Sequence, residues 1–272
     1  MQTLSQSPLD PAFVQNPYPF YARARAAGPF FRWADYGDRV STGNYAAVNA
    51  LFRDRRLGRE VPPEKLAAIP AHLAPFYAVE AHSMLELEPP RHTRLRGLVL
   101  RAFTSRRIAA LAPEITQLCH DLIDRLPPGE FDLLRHFGQH LPVIVIARLL
   151  GVPEDMGDDL LRWSNAMVGM YMAGRDRARE DAAVAATEAF VGFMRGYVDQ
   201  RRRDPRDDLI TALIAAEEAG EKLSTDELIT TCILLLNAGH EATVPLGGQV
   251  DSRAAFTRTS WSHAVSRLPF PP

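Results

Sequence analysis

Residues 232–236, Cys-Ile-Leu-Leu-Leu, are apolar around the whole circumference of a helix, and no other feature constrains the fold as strongly. A helix with no polar side has to be enclosed, so the chain must supply a shell of further elements around it. Its 272 residues, 46% hydrophobic and 24% charged, are sufficient for one large domain or about two, with a core that needs no staples. The same composition excludes a mostly disordered chain.

The shell reads as helices. Hydrophobic spacing and Pro/Gly punctuation predict helices over residues 18–27, 45–54, 90–103, 105–126, 137–150, 153–171, 178–202 and 207–219. A last helix starts at Ser224-Thr225-Asp226-Glu227, where Ser224 or Thr225 supplies the N-cap. Two short β-like segments, 30–33 and 39–42, lie near the N-terminus. Residues 58–75, with prolines at 62, 63, 70 and 75, form a long irregular loop with room for one short helix. The fold class is therefore mainly α with a small N-terminal β element. Residues 1–246 read as one domain, and the Ser/Thr/Arg mixture of 247–272 keeps no period and reads as a disordered tail.

Composition narrows the function classes. Lys and Arg total 31 against 33 Asp and Glu, a net charge of −2, which gives no electrostatic footprint for nucleic acid. Lysine occurs only at Lys65 and Lys222, so nearly every cation is arginine. Cys119 and Cys232 make neither a disulfide framework nor a zinc ribbon and suit a reducing compartment. With neither a signal peptide nor a membrane span in view, the expected location is cytoplasmic.

Chemistry is expected at two places. On the 90–103 helix, Leu95, Leu98, Val99, Ala102 and Phe103 form one apolar stripe, and His92 and Arg96, four apart, sit on its edge. Two cations beside a buried face call for an anion between helices; snorkelling, or pairing with Glu86 or Glu88, is the alternative. The second place is 237–243, directly after the apolar run. Gly239 in mid-helix costs roughly 1 kcal/mol relative to alanine. Ala238 and Gly239 let a ligand approach the backbone, and Glu241 with Thr243 could move protons there; a helix kink with a satisfied buried pair is the alternative. His136 and His140 are also four apart, but no third ligand accompanies them, so no metal site is assigned.

Three runs, in this order, resemble the cytochrome P450 family of the soluble bacterial type. Leu87-Glu-Pro-Pro-Arg-His-Thr-Arg-Leu-Arg-Gly-Leu-Val-Leu-Arg-Ala-Phe-Thr104 is similar to that family's helix C. Leu141-Pro-Val-Ile-Val-Ile-Ala-Arg-Leu-Leu-Gly-Val-Pro153 follows, and Leu234-Leu-Leu-Asn-Ala-Gly-His-Glu-Ala-Thr243 resembles its oxygen-binding helix I. Asn16-Pro-Tyr-Pro-Phe-Tyr21 is similar to the entry to helix A, so the resemblance covers about residues 9–246. It implies a haem cofactor with His92 and Arg96 on its propionates, an oxygen groove at Ala238 and Gly239, and proton delivery through Glu241. Residues 58–75 and 167–175 would line or cover the pocket of a small apolar substrate. The reaction implied is insertion of one oxygen atom, with electrons from an iron–sulfur or flavin partner.

Two departures accompany the resemblance. The family's threonine after the helix I acid is Ala242 here, and Thr243 lies one residue further on. The family's Phe-x-x-Gly-x-x-x-Cys-x-Gly loop, whose thiolate holds the iron, has no counterpart after Thr243, and neither has its later Glu-x-x-Arg pair. The expectation is an N-terminal portion of such an enzyme, truncated by a shifted frame or a mis-called gene and inactive alone. The alternative is a non-catalytic helical remnant that binds small apolar ligands or haem weakly. Ile229, Cys232, Ile233 and Leu236 are expected to lack neighbours, leaving a wet helix surface and a poorly folded or self-associating chain.

Overall fold

The computed structural model describes residues 1–172, 174–218 and 220–241, and the chain forms two compact units that meet in sequence at Arg59 and Glu60. The first unit contains β1 (Gln2–Leu4), α1 (Pro11–Gln15), α2 (Tyr18–Ala26), β2 (Phe31–Trp33), β3 (Arg39–Ser41) and α3 (Tyr45–Arg53). Its sheet has the order β1-β2-β3, with β1 parallel and β3 antiparallel to β2. Phe20, Ala24 and Phe31 form its core. Asp10 and Asn44 cap α1 and α3 by accepting from Ala12 and Ala47 backbone N–H groups at 2.9 and 3.0 Å. Strand β1 was not expected: a three-residue strand carries too little alternation to stand out.

The second unit is helical: α4 (Ala74–Glu80), α5 (Arg91–Ala102), α6 (Ser105–Ala110), α7 (Ala112–Asp124), α8 (His140–Leu150), α9 (Gly157–Val168), α10 (Arg177–Arg203), α11 (Leu209–Ala215) and α12 (Thr225–Glu241). The sequence read α6 and α7 as one helix; Pro113, in the first turn of α7, starts a new one. Helix α4 was absent from the reading because Pro75 looked like loop punctuation, whereas in a first turn proline is compatible with a helix. The end of the 207–219 helix is instead a hairpin of β4 (Glu217–Glu218) and β5 (Glu221–Lys222).

Helix α12 is packed by α4, α8, α9, α10 and α11, all upstream of it. This corrects the expectation of a wet helix. Ile229, Cys232, Ile233 and Leu236 are each at most 2% exposed. Four buried side chains of this kind stabilise by roughly 1.5–3 kcal/mol each for the larger ones. The run is not enclosed on every side, however: Leu234 and Leu235 are half-buried and Ala238 is exposed. The N-terminus of α12 is the expected capping box, since Ser224 Oγ accepts from the Glu227 N–H at 3.2 Å and Glu227 Oε2 accepts from the Ser224 N–H at 2.9 Å. Among the described residues, no helix is long and apolar enough to cross a membrane.

Candidate functional site

Helix α5 buries the expected stripe. Leu95, Leu98, Val99 and Ala102 are in the core and Phe103 packs against it. His92 is half-buried and Arg96 exposed, on the neighbouring edge. The argument that they require a buried anion does not hold within this chain, because an exposed guanidinium keeps its hydration. Among the described residues neither His92 nor Arg96 has a hydrogen-bond or ion-pair partner, whereas Glu86 and Glu88 are engaged elsewhere. His92 and Arg96 stand as two adjacent donors on one helical face. Arg94, which points the other way, is committed: it pairs with Glu227 and lies 3.6 Å from Glu221, locking α5 to the start of α12.

The open side of α12 carries Thr230, Leu234 and Ala238 at successive fourth positions, with Ile233 and Asn237 beside them. These five residues form one wall of a cavity of about 210 Å³. Its opposite side comes from α4 and the turn after it (Val79, Glu80, Ser83, Leu85) and from the end of α9 and the 3₁₀ turn that follows (Val168, Tyr171). Within that side the Tyr171 hydroxyl donates to Glu80 Oε2 at 2.7 Å. Of the two segments expected around a pocket, 167–175 therefore contributes to the wall. Residues 58–75 contribute nothing to it, and α4 takes that position.

Ala238 and Gly239 diverge. Ala238 lines the cavity, whereas a Cβ at Gly239 would meet the Ile146 side chain of α8 at 3.5 Å, an ordinary contact. Glu241 is the last residue of α12; its side chain, and all of Thr243, lie outside the described residues. One residue the sequence reading passed over is His240, 2% exposed, with Nδ1 3.1 Å from the Leu236 carbonyl and 3.3 Å from Ser164 Oγ, and Nε2 3.3 Å from Asn165 Oδ1. Its position in an otherwise apolar register was the available signal.

His136 and His140 do not share a regular helical face. His136 lies in a π-helical turn (Leu134–Gly138), exposed and edge-on to Phe131, and His140 opens α8. Among the described residues, no group of three or more His, Cys, Asp or Glu could hold a metal ion. Both cysteines are buried, which pushes the Cys119 thiol up to about 11 and the Cys232 thiol up to about 12.

No protein-family model matches the sequence. Individual relatives do. The chain is 38% identical over 243 residues to the vitamin D(3) 25-hydroxylase of Pseudonocardia autotrophica, covering 87% of this chain and 57% of that protein. It is 37% identical over 247 residues to cytochrome P450 107B1 of Saccharopolyspora erythraea, covering 88% and 59%. Among solved structures, the P450 PksS of Bacillus subtilis 168 superposes with a TM-score of 0.72 at 31% identity, over 86% of this chain and 58% of that one. The chain belongs to the cytochrome P450 family. P450BioI, crystallised with an acyl carrier protein, superposes with a TM-score of 0.78 at 29% identity, over 86% and 60%. This P450 chain thus spans less than three fifths of the length of either of these curated relatives.

Proposed function

We propose that this chain forms the oxygen-side half of a haem-thiolate monooxygenase that inserts one oxygen atom into a small apolar substrate, with electrons from an iron–sulfur or flavin protein. The observation that carries the reading is the His92–Arg96 pair, two donors on one face of α5 that have no partner among the described residues and suit the paired carboxylates of a haem. The cavity beside Ala238, walled by α12, α4 and the end of α9, supports a substrate site next to that group.

Bound haem supplies the oxygen-activating redox chemistry. In this reading His92 and Arg96 anchor its carboxylates, while Ala238 and Gly239 keep the face of α12 low enough for a small molecule to approach. Glu241, with Thr243 two residues further along the sequence, moves protons there, Ala242 having no hydroxyl to do so. The iron ligand does not fit this chain. Cys119 and Cys232 are 2% and 0% exposed, and their raised thiol values oppose thiolate formation. The chain alone is accordingly inactive. A second reading, a non-catalytic binder of small apolar ligands, is supported by the same cavity.

Haem titration of the purified chain, with reduced spectra under carbon monoxide, tests the reading. Weak binding without the thiolate signature is expected, and His92→Ala with Arg96→Ala should weaken it about tenfold, as loss of charge-assisted hydrogen bonds implies. A thiolate spectrum from the chain alone would put Cys119 or Cys232 on the iron. Unchanged affinity in the double variant would remove the anchoring role.

A further inference from the structure

A second cavity, of about 250 Å³, lies between α4, α10 and the start of α12 and has no part in the proposed function. Its apolar walls are Pro75, Ala78 and Val79 of α4, Val191 of α10 and Ile229 of α12. Val79 and Thr230 line both this cavity and the one beside Ala238, and the Thr230 hydroxyl donates to the Val79 carbonyl at 3.3 Å. That contact stands as the partition between the two.

The polar groups of the second cavity are unequally engaged. Thr187 donates its hydroxyl proton to the Ala183 carbonyl at 2.7 Å, as Thr230 does to Val79, so neither hydroxyl has a proton left for an anion. Arg195 of α10 reaches across to Asp226 of α12 at 2.7 Å, and its charge is thereby matched. Glu188 is different. It lines the cavity from an exposed position on α10 and has no hydrogen-bond or ion-pair partner among the described residues. Its helical neighbours three and four residues away are Val184, Ala185, Val191 and Gly192, none of them a cation. His82, half-buried after α4, is likewise without a partner among the described residues. Two carboxylates therefore stand against one guanidinium beside an apolar hollow.

We infer that this second cavity binds a small organic cation, a primary ammonium held by Glu188 on an apolar body lodged against Ala78 and Val191. The excess of carboxylate over guanidinium selects a positive head over a neutral or negative one, and the apolar walls supply most of the contact. Its volume lies below the ~300–1,000 Å³ of sites for drug-sized ligands, so the occupant is of fragment size. Neither haem nor the cavity beside Ala238 takes part.

Phenethylamine, phenethyl alcohol and hydrocinnamate test this, since they share a ring and a short chain and differ in the charge of the head. Their binding to the full chain near neutral pH and at low salt is measured by ligand-observed NMR. The amine should bind about fivefold more tightly than the alcohol, the scale of an ion pair open to solvent, and hydrocinnamate should bind least. Glu188→Gln, an isosteric change at an exposed position, should cancel the advantage of the amine and leave the affinity for the alcohol as it was. Ala78→Trp and Val191→Trp fill the cavity from α4 and from α10, and either should abolish binding of the amine. Ala238→Trp, which fills the other cavity, should leave it intact.

Equal affinity for amine and alcohol, an amine preference that persists in Glu188→Gln, amine binding that survives both filling variants, or no binding of any probe overturns the inference. Loss of amine binding in Ala238→Trp alone would place the cation in the other cavity and overturn it as well.

Discussion

His240 on α12 reaches Asn165 on α9, with Nε2 3.3 Å from Oδ1, and its other ring nitrogen lies the same distance from Ser164 Oγ. One buried imidazole therefore joins the helix that carries Ala238 to the helix whose end, at Val168, closes the cavity. A buried polar network of this kind is destabilising when one member is removed, because its partners stay buried. His240→Leu should lower the unfolding free energy by about 1–3 kcal/mol. Asn165→Ala in the same background should add less than it does in the parent chain. Urea denaturation of the two single variants and the double variant measures this coupling, and strict additivity would sink it.

The start of α12 gives a pH dependence with a definite sign. Burial on its own raises the Glu227 carboxyl, but the Ser224 backbone N–H and the Arg94 guanidinium outweigh it and hold the group below its ordinary value of 4.5. A depressed carboxylate contributes stability that is present above the unfolded-state value and lost as pH falls through the folded one. The urea midpoint should therefore drop between about pH 6 and about pH 3, and drop less in Glu227→Gln. An equal drop in both proteins would mean that other carboxylates carry the effect.

The parts of this fold that the sequence made legible are those where one local rule decides. The α5 stripe follows from 3.6-residue spacing, and Leu95, Leu98, Val99 and Ala102 are buried as that spacing requires. Ser224 and Glu227 form the box that their separation announces. What stayed illegible depends on which neighbour an element meets. Nothing local tells that Thr230, Leu234 and Ala238 face a cavity while Cys232 and Leu236 are enclosed in the core. The expectation of a wet helix failed because the enclosing helices all precede α12 in the chain. His92 and Arg96 were placed on the correct edge of the stripe, yet spacing could not show that this edge is open to solvent.

A buried ion pair beside the C-terminus of α8 gives a third stability prediction. Gly151 adopts φ +83°, and a Cβ there would collide with the Asp208 side chain. That carboxylate pairs with Arg201, whose guanidinium also donates to the Gly151 carbonyl at 2.8 Å and lies over the Tyr197 ring at 5.0 Å. Gly151→Ala thus forces both a left-handed alanine and a displaced buried carboxylate. A loss of about 3 kcal/mol or more is expected, in the range for breaking a buried pair. Asp208→Ala should be comparably damaging, since it leaves Arg201 charged and enclosed. A midpoint within the error of the parent for either variant would mean that the pair relaxes to solvent.

Gly239→Ala is expected to act in the opposite direction. The nearest atoms to its added methyl belong to Ile146, from 3.5 Å, an ordinary contact, and mid-helix alanine is favoured over glycine by about 1 kcal/mol. The variant should therefore be more stable in urea by up to that amount. In the proposed function Gly239 keeps the backbone open to a small molecule, so the same variant should bind haem more weakly. Lower stability in Gly239→Ala would instead show a packing role beyond Ile146.

The cysteines give the last prediction, and it bears directly on which part of a P450 this chain supplies. Cys232 lies in the main core cluster and Cys119 in the smaller one, where it packs with Leu118, Leu122 and Phe137. Burial raises both thiols, to about 11 for Cys119 and about 12 for Cys232, so at neutral pH neither presents the thiolate that thiol reagents and iron require. In the native chain both should resist a disulfide reagent and label together only on unfolding in urea. Cys119→Ala and Cys232→Ala should lose about 1 kcal/mol or more of stability to the cavities they leave, yet leave any haem spectrum unchanged. If one cysteine labels fast in the native chain and its alanine variant alters the haem spectrum, that sulfur is at the metal and the assignment of this chain to the oxygen-side half alone is wrong.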